Sequence, residues 1–135
     1  MSNPSSAKMP EARPVTVLAV DDQPVFLRAA RDLIAATPGF EQVGEACSGP
    51  EAVEKAATLR PDLVLLDVRM PGMDGIETAR RLADGDGEAV VVLISLEAAP
   101  EVPPASVAGH VRKQDLSVRA LQAIWATHRG AEADP

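Results

Sequence analysis

Three carboxylates, a hydroxyl and an ammonium close four aliphatic runs of this 135-residue chain: Asp21 and Asp22 follow VTVLAV, Asp67 follows LVLL, Ser95 follows VVVLI, and Lys113 follows GHVR. Carboxylates held close together repel and raise one another's pKa unless a cation neutralises them. Mg²⁺ suits such a set, being a hard ion that takes one or two carboxylates, keeps waters and accepts phosphate oxygens. A carboxylate can also attack a phosphoryl group itself and become an aspartyl phosphate. The phosphoryl oxygens then need positive charge and hydrogen-bond donors, which Mg²⁺, Lys113 and Ser95 supply. Together these side chains suit phosphoryl transfer to Asp67. Singly, each has a plainer reading. Asp21 or Asp22 could cap the helix that begins at Pro24, and PGMDG could be a turn followed by a helix cap.

The elements that must position these groups are legible in the pattern. Strands are expected at 15–20, 40–46, 63–66, 89–95 and 109–112, and helices at about 24–36, 49–59, 75–83 and 117–128. Ser48 with Glu51 has capping-box spacing, Asp74 with Glu77 is its acidic variant, and Ser117 can cap the last helix while Leu116 and Leu121 form a hydrophobic staple. Strands alternating with helices argue for βαβ units, and near-continuous aliphatic strands for a parallel sheet covered on both faces. In such sheets ligands gather outside the carboxyl ends of the strands, at the topological switch point. That is why a buried strand should end on Asp67.

Composition narrows the function. The chain is 46% hydrophobic, enough for one domain with its own core. A lone cysteine, Cys47, forms no internal disulfide, no secretory signal pattern opens the chain, and no apolar run nears the length of a membrane span, so a cytoplasmic protein is expected. A net charge of −7 and an absence of Tyr argue against direct nucleic-acid binding. Residues 1–14 read as a flexible leader and 129–135 as a tail or the start of a linker, leaving 15–128 as the folded domain. Cys47 is expected to be a small buried hydrophobe, Met70 and Met73 to pack in a loop, and Trp125 to share a helix face with Leu121, Ile124 and His128.

VDDQP, LVLLDVRMPGMDG, a Ser closing the fourth strand and a Lys closing the fifth resemble the receiver domain of bacterial two-component response regulators, above all receivers ahead of a LuxR-type helix-turn-helix output domain. The resemblance implies a doubly wound, five-stranded, flavodoxin-like α/β fold. It implies that Asp67 is the phosphoacceptor. It further implies that Asp21, Asp22, Asp67 and the backbone carbonyl of Arg69 bind Mg²⁺, with Asp22 the more direct ligand of the first two. Ser95 and Lys113 would hold the phosphoryl oxygens. The implied partners are a sensor histidine kinase and an output domain or downstream protein, and a homodimer stays open.

The chain departs from that pattern in places. An aromatic switch residue is usual three positions before the Lys, where this chain has His110. The segment 96–109 holds three prolines where the family has a complete fourth helix, so a shortened or irregular helix is expected. Arg69 and Glu97 stand where the family tunes dephosphorylation. Two other readings compete: a phosphorylation-independent interaction module, and a haloacid-dehalogenase-type phosphatase. The second needs an acid two residues after the nucleophile, where Arg69 stands.

Overall fold

The computed structural model describes residues 13–85, 88–96 and 107–133. Five strands, β1 (Val15–Val20), β2 (Phe40–Ala46), β3 (Leu63–Asp67), β4 (Val90–Ser95) and β5 (Val107–Arg112), form one parallel sheet in the order β2-β1-β3-β4-β5. Four helices accompany them: α1 (Pro24–Ala36), α2 (Gly49–Leu59), α3 (Gly75–Asp84) and α4 (Val118–Ala133).

The aliphatic strands are two-faced. Leu18, Val20, Val64, Leu66, Val91 and Leu93 pack with Ala52 and Ala56 of α2 and Ala79 and Leu82 of α3. The alternate residues Val17, Leu63, Leu65, Val90, Val92 and Ile94 pack with Ile34 of α1 and Leu121 of α4. Side chains alternate along a strand, so each of the three central strands feeds both layers. The doubly wound architecture follows from that alternation. Strand order reverses between β1 and β3, which puts the switch-point crevice at the ends carrying Asp21, Asp22 and Asp67.

Local signals fix the connections. Ser48 Oγ accepts from the Glu51 amide at 3.3 Å, Asp74 Oδ1 from the Glu77 amide at 2.9 Å, and Ser117 Oγ from the Ala120 amide at 3.1 Å. The Ser48 capping box is not reciprocal, because Glu51 Oε1 takes the Cys47 amide at 2.8 Å. Cys47 itself is exposed rather than buried, its thiol donating to the same carboxylate at 3.2 Å. Glu51 holds it at the surface, and the hydrogen bond to that carboxylate, then its charge, push the thiol pKa up. That carboxylate falls to about 2, drawn down chiefly by the Cys47 amide, then by the thiol and Lys55.

Met70 is buried, and Leu116, Ile124 and Trp125 pack with Leu121 against the α1/α4 layer. Trp125 also lies against His128, ring centroids 5.7 Å apart. Two boundaries differ from expectation by more than one residue. Strand β5 begins at Val107, because a register shift beside Val91 and Val92 lets Val107 and Gly109 both pair. Helix α4 runs on to Ala133, with no proline before Pro135 to stop it. The segment expected to hold an irregular fourth helix lies, at 97–106, outside the described residues, as does most of the leader.

Gly75 is where fold and site meet. A Cβ there would collide with the backbone carbonyl of Asp67 and stand 2.7 Å from Val68 Cα, neither of which can rotate aside. A Cβ at Gly85 meets nothing nearer than 3.6 Å. Gly75→Ala is therefore expected to lower stability by about 1–3 kcal/mol, the usual cost of overpacking, while Gly85→Ala changes it by less than about 0.5 kcal/mol. Urea denaturation of the two variants checks the contrast.

Candidate functional site

Strand β1 delivers Asp21, which is fully buried, and the partly buried Asp22 follows it. Neither caps α1: the capping position is Gln23, whose side chain makes no capping bond, and Asp21 Oδ1 instead accepts the Gln23 amide at 2.8 Å. That bond folds the chain back at the strand end and aims the carboxylate into the crevice. Asp67 is the last residue of β3 and only 4% exposed. Just beyond it, Pro71 and Gly72 make the turn, Gly72 taking a φ of +76°, which suits a residue without a Cβ. Oxygens of Asp21, Asp22 and Asp67 all lie within 4.8 Å of one another.

Lys113 opens the short 3₁₀ turn after β5. Its Nζ lies 2.7 Å from Asp21 Oδ2 and 3.6 Å from Asp67 Oδ1. It also stands 4.6 Å from the centre of the Phe26 ring, a cation–π contact that the sequence reading missed. Spacing alone could have offered Phe26, which falls one helical turn beyond Asp22, but it carries no chemical signal of its own. Ser95 closes β4, 6% exposed, beside Ile94, which pairs in register with Asp67. Its Oγ lies 2.7 Å from His110 Nε2, so the structure ties Ser95 to the residue at the departed aromatic position. The Arg69 side chain is exposed, and its backbone N–H donates to Asp67.

Burial pushes the Asp67 carboxyl up to about 6, helped by the negative charge of Asp21 and then Asp22, against the pull of Lys113 and the Arg69 amide. The donor set fits a hard divalent cation. It consists of carboxylate oxygens, and octahedral Mg²⁺ at about 2.1 Å would draw neighbouring ligands to roughly 3–4 Å, a small contraction from the spacing present. Asp21 Oδ2 is buried with a charge contact to Lys113 but no aligned hydrogen bond, which leaves it room to bind a cation. Among the described residues this is the one carboxylate cluster of that kind.

A doubly wound parallel sheet with an acidic cluster and a lysine at its switch point defines the class of the signal receivers. Residues 17–114 match the response regulator receiver domain, and the chain belongs to that family. It is 36% identical over 128 residues to the nitrate/nitrite response regulator NarP of Escherichia coli K12, covering 92% of this chain and 60% of NarP. A LuxR-family two-component response regulator from Aurantimonas superposes with a TM-score of 0.76 at 30% identity, over 87% of this chain and 86% of that one. The CheX–CheY–BeF₃–Mg complex from Borrelia burgdorferi gives a TM-score of 0.73 at 26% identity, over 85% and 89%. The chain spans about half the length of the nitrate/nitrite regulators it matches. It is thus a receiver domain of the two-component response regulator type, and no described helix is long and apolar enough to cross a membrane.

An Asp67 pKa raised above its unfolded value near 3.9 means that the charged carboxylate costs folding energy. The penalty is absent below about pH 4, grows as the pH rises, and is complete above about 6. In EDTA, Asp67→Asn is therefore expected to be more stable than the parent at pH 7 by on the order of 2 kcal/mol, at about 1.4 kcal/mol per pKa unit. At pH 4 the advantage should vanish. Urea melts at the two pH values measure it, and added Mg²⁺ should narrow the gap at pH 7 by stabilising the parent.

Proposed function

We propose that the chain is a phosphoacceptor receiver that takes a phosphoryl group from a sensor histidine kinase onto Asp67 in a Mg²⁺-dependent reaction. The observation that carries this reading is the convergence of three carboxylates within 4.8 Å, with Lys113 against two of them. Asp21, Asp22, Asp67 and the Arg69 carbonyl would hold the cation, which supplies positive charge to phosphoryl oxygens during transfer. An Asp67 carboxylate oxygen attacks the phosphorus of a phosphohistidine. The new O–P bond forms as the P–N bond breaks, and the departing pair stays on the imidazole nitrogen. Asp67 must be ionised to attack, and with its pKa near 6 it is so at neutral pH.

Lys113 neutralises charge on the phosphoryl oxygens by shifting its contact from Asp67 towards them, and Asp21 keeps it in reach at 2.7 Å. Phe26 beneath the ammonium limits where it can go. Ser95 gives a hydroxyl donor from the adjacent strand. The rearrangement of Ser95 and Lys113 shifts the population between two conformations, and the phosphoryl group leaves slowly by hydrolysis. Arg69 in place of a second acid argues against a phosphatase that turns over external substrates. The chain carries no enzymatic activity beyond its own phosphorylation and dephosphorylation on this reading. The likeness to NarP and to a LuxR-family regulator supports a role in transcription, exerted through an output domain or a downstream protein. The receiver runs from residue 15 through the end of α4 at Ala133, beyond the expected limit at 128, and its place of action is the cytoplasm.

Intact-protein mass spectrometry after incubation with acetyl phosphate tests this. One phosphoryl adduct per chain is expected with Mg²⁺, little or none in EDTA, and none in Asp67→Asn under either condition. An adduct that persists in Asp67→Asn, or no adduct on the parent with Mg²⁺, would overturn it.

A further inference from the structure

Lys113 has three neighbours in the crevice, and they differ in kind. Two are carboxylates, with Asp21 Oδ2 at 2.7 Å and Asp67 Oδ1 at 3.6 Å from Nζ. The third is the face of the Phe26 ring, whose centre lies 4.6 Å from Nζ. The start of α1 fixes that ring. The Phe26 and Leu27 amides both donate to the Gln23 carbonyl, at 3.0 and 3.1 Å, while Asp21 Oδ1 takes the Gln23 amide at 2.8 Å. One turn of chain therefore aims the Asp21 carboxylate and sets the ring beside it. Phe26 also packs against the apolar clusters of Ile34 and of Leu27 and Ala30, which hold it in place.

The two carboxylates are also the groups on which a hard divalent cation would draw, and positive charge gathered there repels the ammonium. The ring is different. Its negative face attracts an ammonium but offers none of the oxygen ligands that Mg²⁺ takes. We propose that Phe26 is the positioning residue for Lys113, its ring keeping the ammonium in the crevice once a metal ion claims the carboxylates. The inference rests on the function proposed above and adds to it the group that lets two cations share one set of acids. Phe26 touches no reacting atom and acts through Lys113. A ligand that needs Lys113 binds in proportion to the fraction of molecules in which that side chain is in place. Loss of the ring lowers that fraction, and it also frees the ammonium to withdraw from an incoming metal ion. The two affinities therefore respond differently: the phosphoryl group is held less well, and the metal is held no less well.

Phe26→Leu keeps apolar bulk and removes the aromatic face, and NMR titration reads both affinities. In saturating Mg²⁺, beryllofluoride, a non-covalent phosphoryl mimic, is expected to bind this variant about two- to tenfold more weakly than the parent, the yield of one cation–π contact. Mg²⁺ alone should bind it at least as tightly as the parent. In a Lys113→Ala background, Phe26→Leu should change neither affinity. Unchanged beryllofluoride binding, a loss that persists in Lys113→Ala, or a parallel loss of Mg²⁺ binding overturns the proposal. Should Phe26→Leu fail to fold, fluorination decides. The chain has two phenylalanines, so biosynthetic incorporation of fluorinated phenylalanine in a Phe40→Leu background alters the Phe26 ring alone. Fluorine weakens the negative face with little change of size, and beryllofluoride affinity should fall stepwise from the plain ring to the mono-, di- and trifluorinated ones. A flat series refutes the positioning role. A parent protein that binds no beryllofluoride in Mg²⁺ would instead overturn the proposed function, and this inference with it.

Discussion

Mutual repulsion among three carboxylates at the edge of an apolar sheet is the constraint around which the molecule is arranged. Left alone, the cluster would expel a charge or take up a proton, and burial first, then this repulsion, leaves the Asp67 pKa raised. Lys113 relieves part of it. To do so it must arrive from the far end of the sheet order, at the end of β5, while the acids come from β1 and β3. The parallel topology is what allows this: every strand ends at the same edge, so groups distant in sequence share one crevice. The apolar layers on both faces hold those ends in register and exclude the water that would otherwise screen the charges.

Much of this was legible in the chain. The strand and helix spans followed from aliphatic runs and capping pairs, because near-continuous Val and Leu runs leave few other folds. Asp21, Asp22, Asp67, Ser95 and Lys113 could each be named from their positions at strand ends. What the sequence could not convey were relations set by three-dimensional packing. The bulge that starts β5 at Val107 depends on register against β4, and the exposure of Cys47 depends on which donors Glu51 selects. Phe26 beneath Lys113 and His110 against Ser95 are of the same kind, since neither residue type announces a polar partner two elements away.

Similarity to regulators of nitrate and nitrite response sets this chain within the response regulator receivers. Its sheet is irregular at two places: the register shifts beside Val91 and Val92 on the β4–β5 seam, and between Val17 and Leu18 on the β1–β2 seam. His110, where the resemblance implies an aromatic switch, lies on the first of these seams.

The contact between Gly75 and the Asp67 carbonyl has a mechanical meaning. With no side chain between them, the first turn of α3 sits directly on the peptide that carries the central acid. The Gly75 amide also donates to Val68 at 2.8 Å, closing the loop that links strand to helix. At that contact the flank is stiff, because backbone meets backbone and no rotamer can be exchanged. The opposite flank is joined through a hydroxyl and an imidazole, both able to turn about single bonds. Compliance in this domain is one-sided, and a load applied at the centre of the crevice has a built-in direction in which to yield.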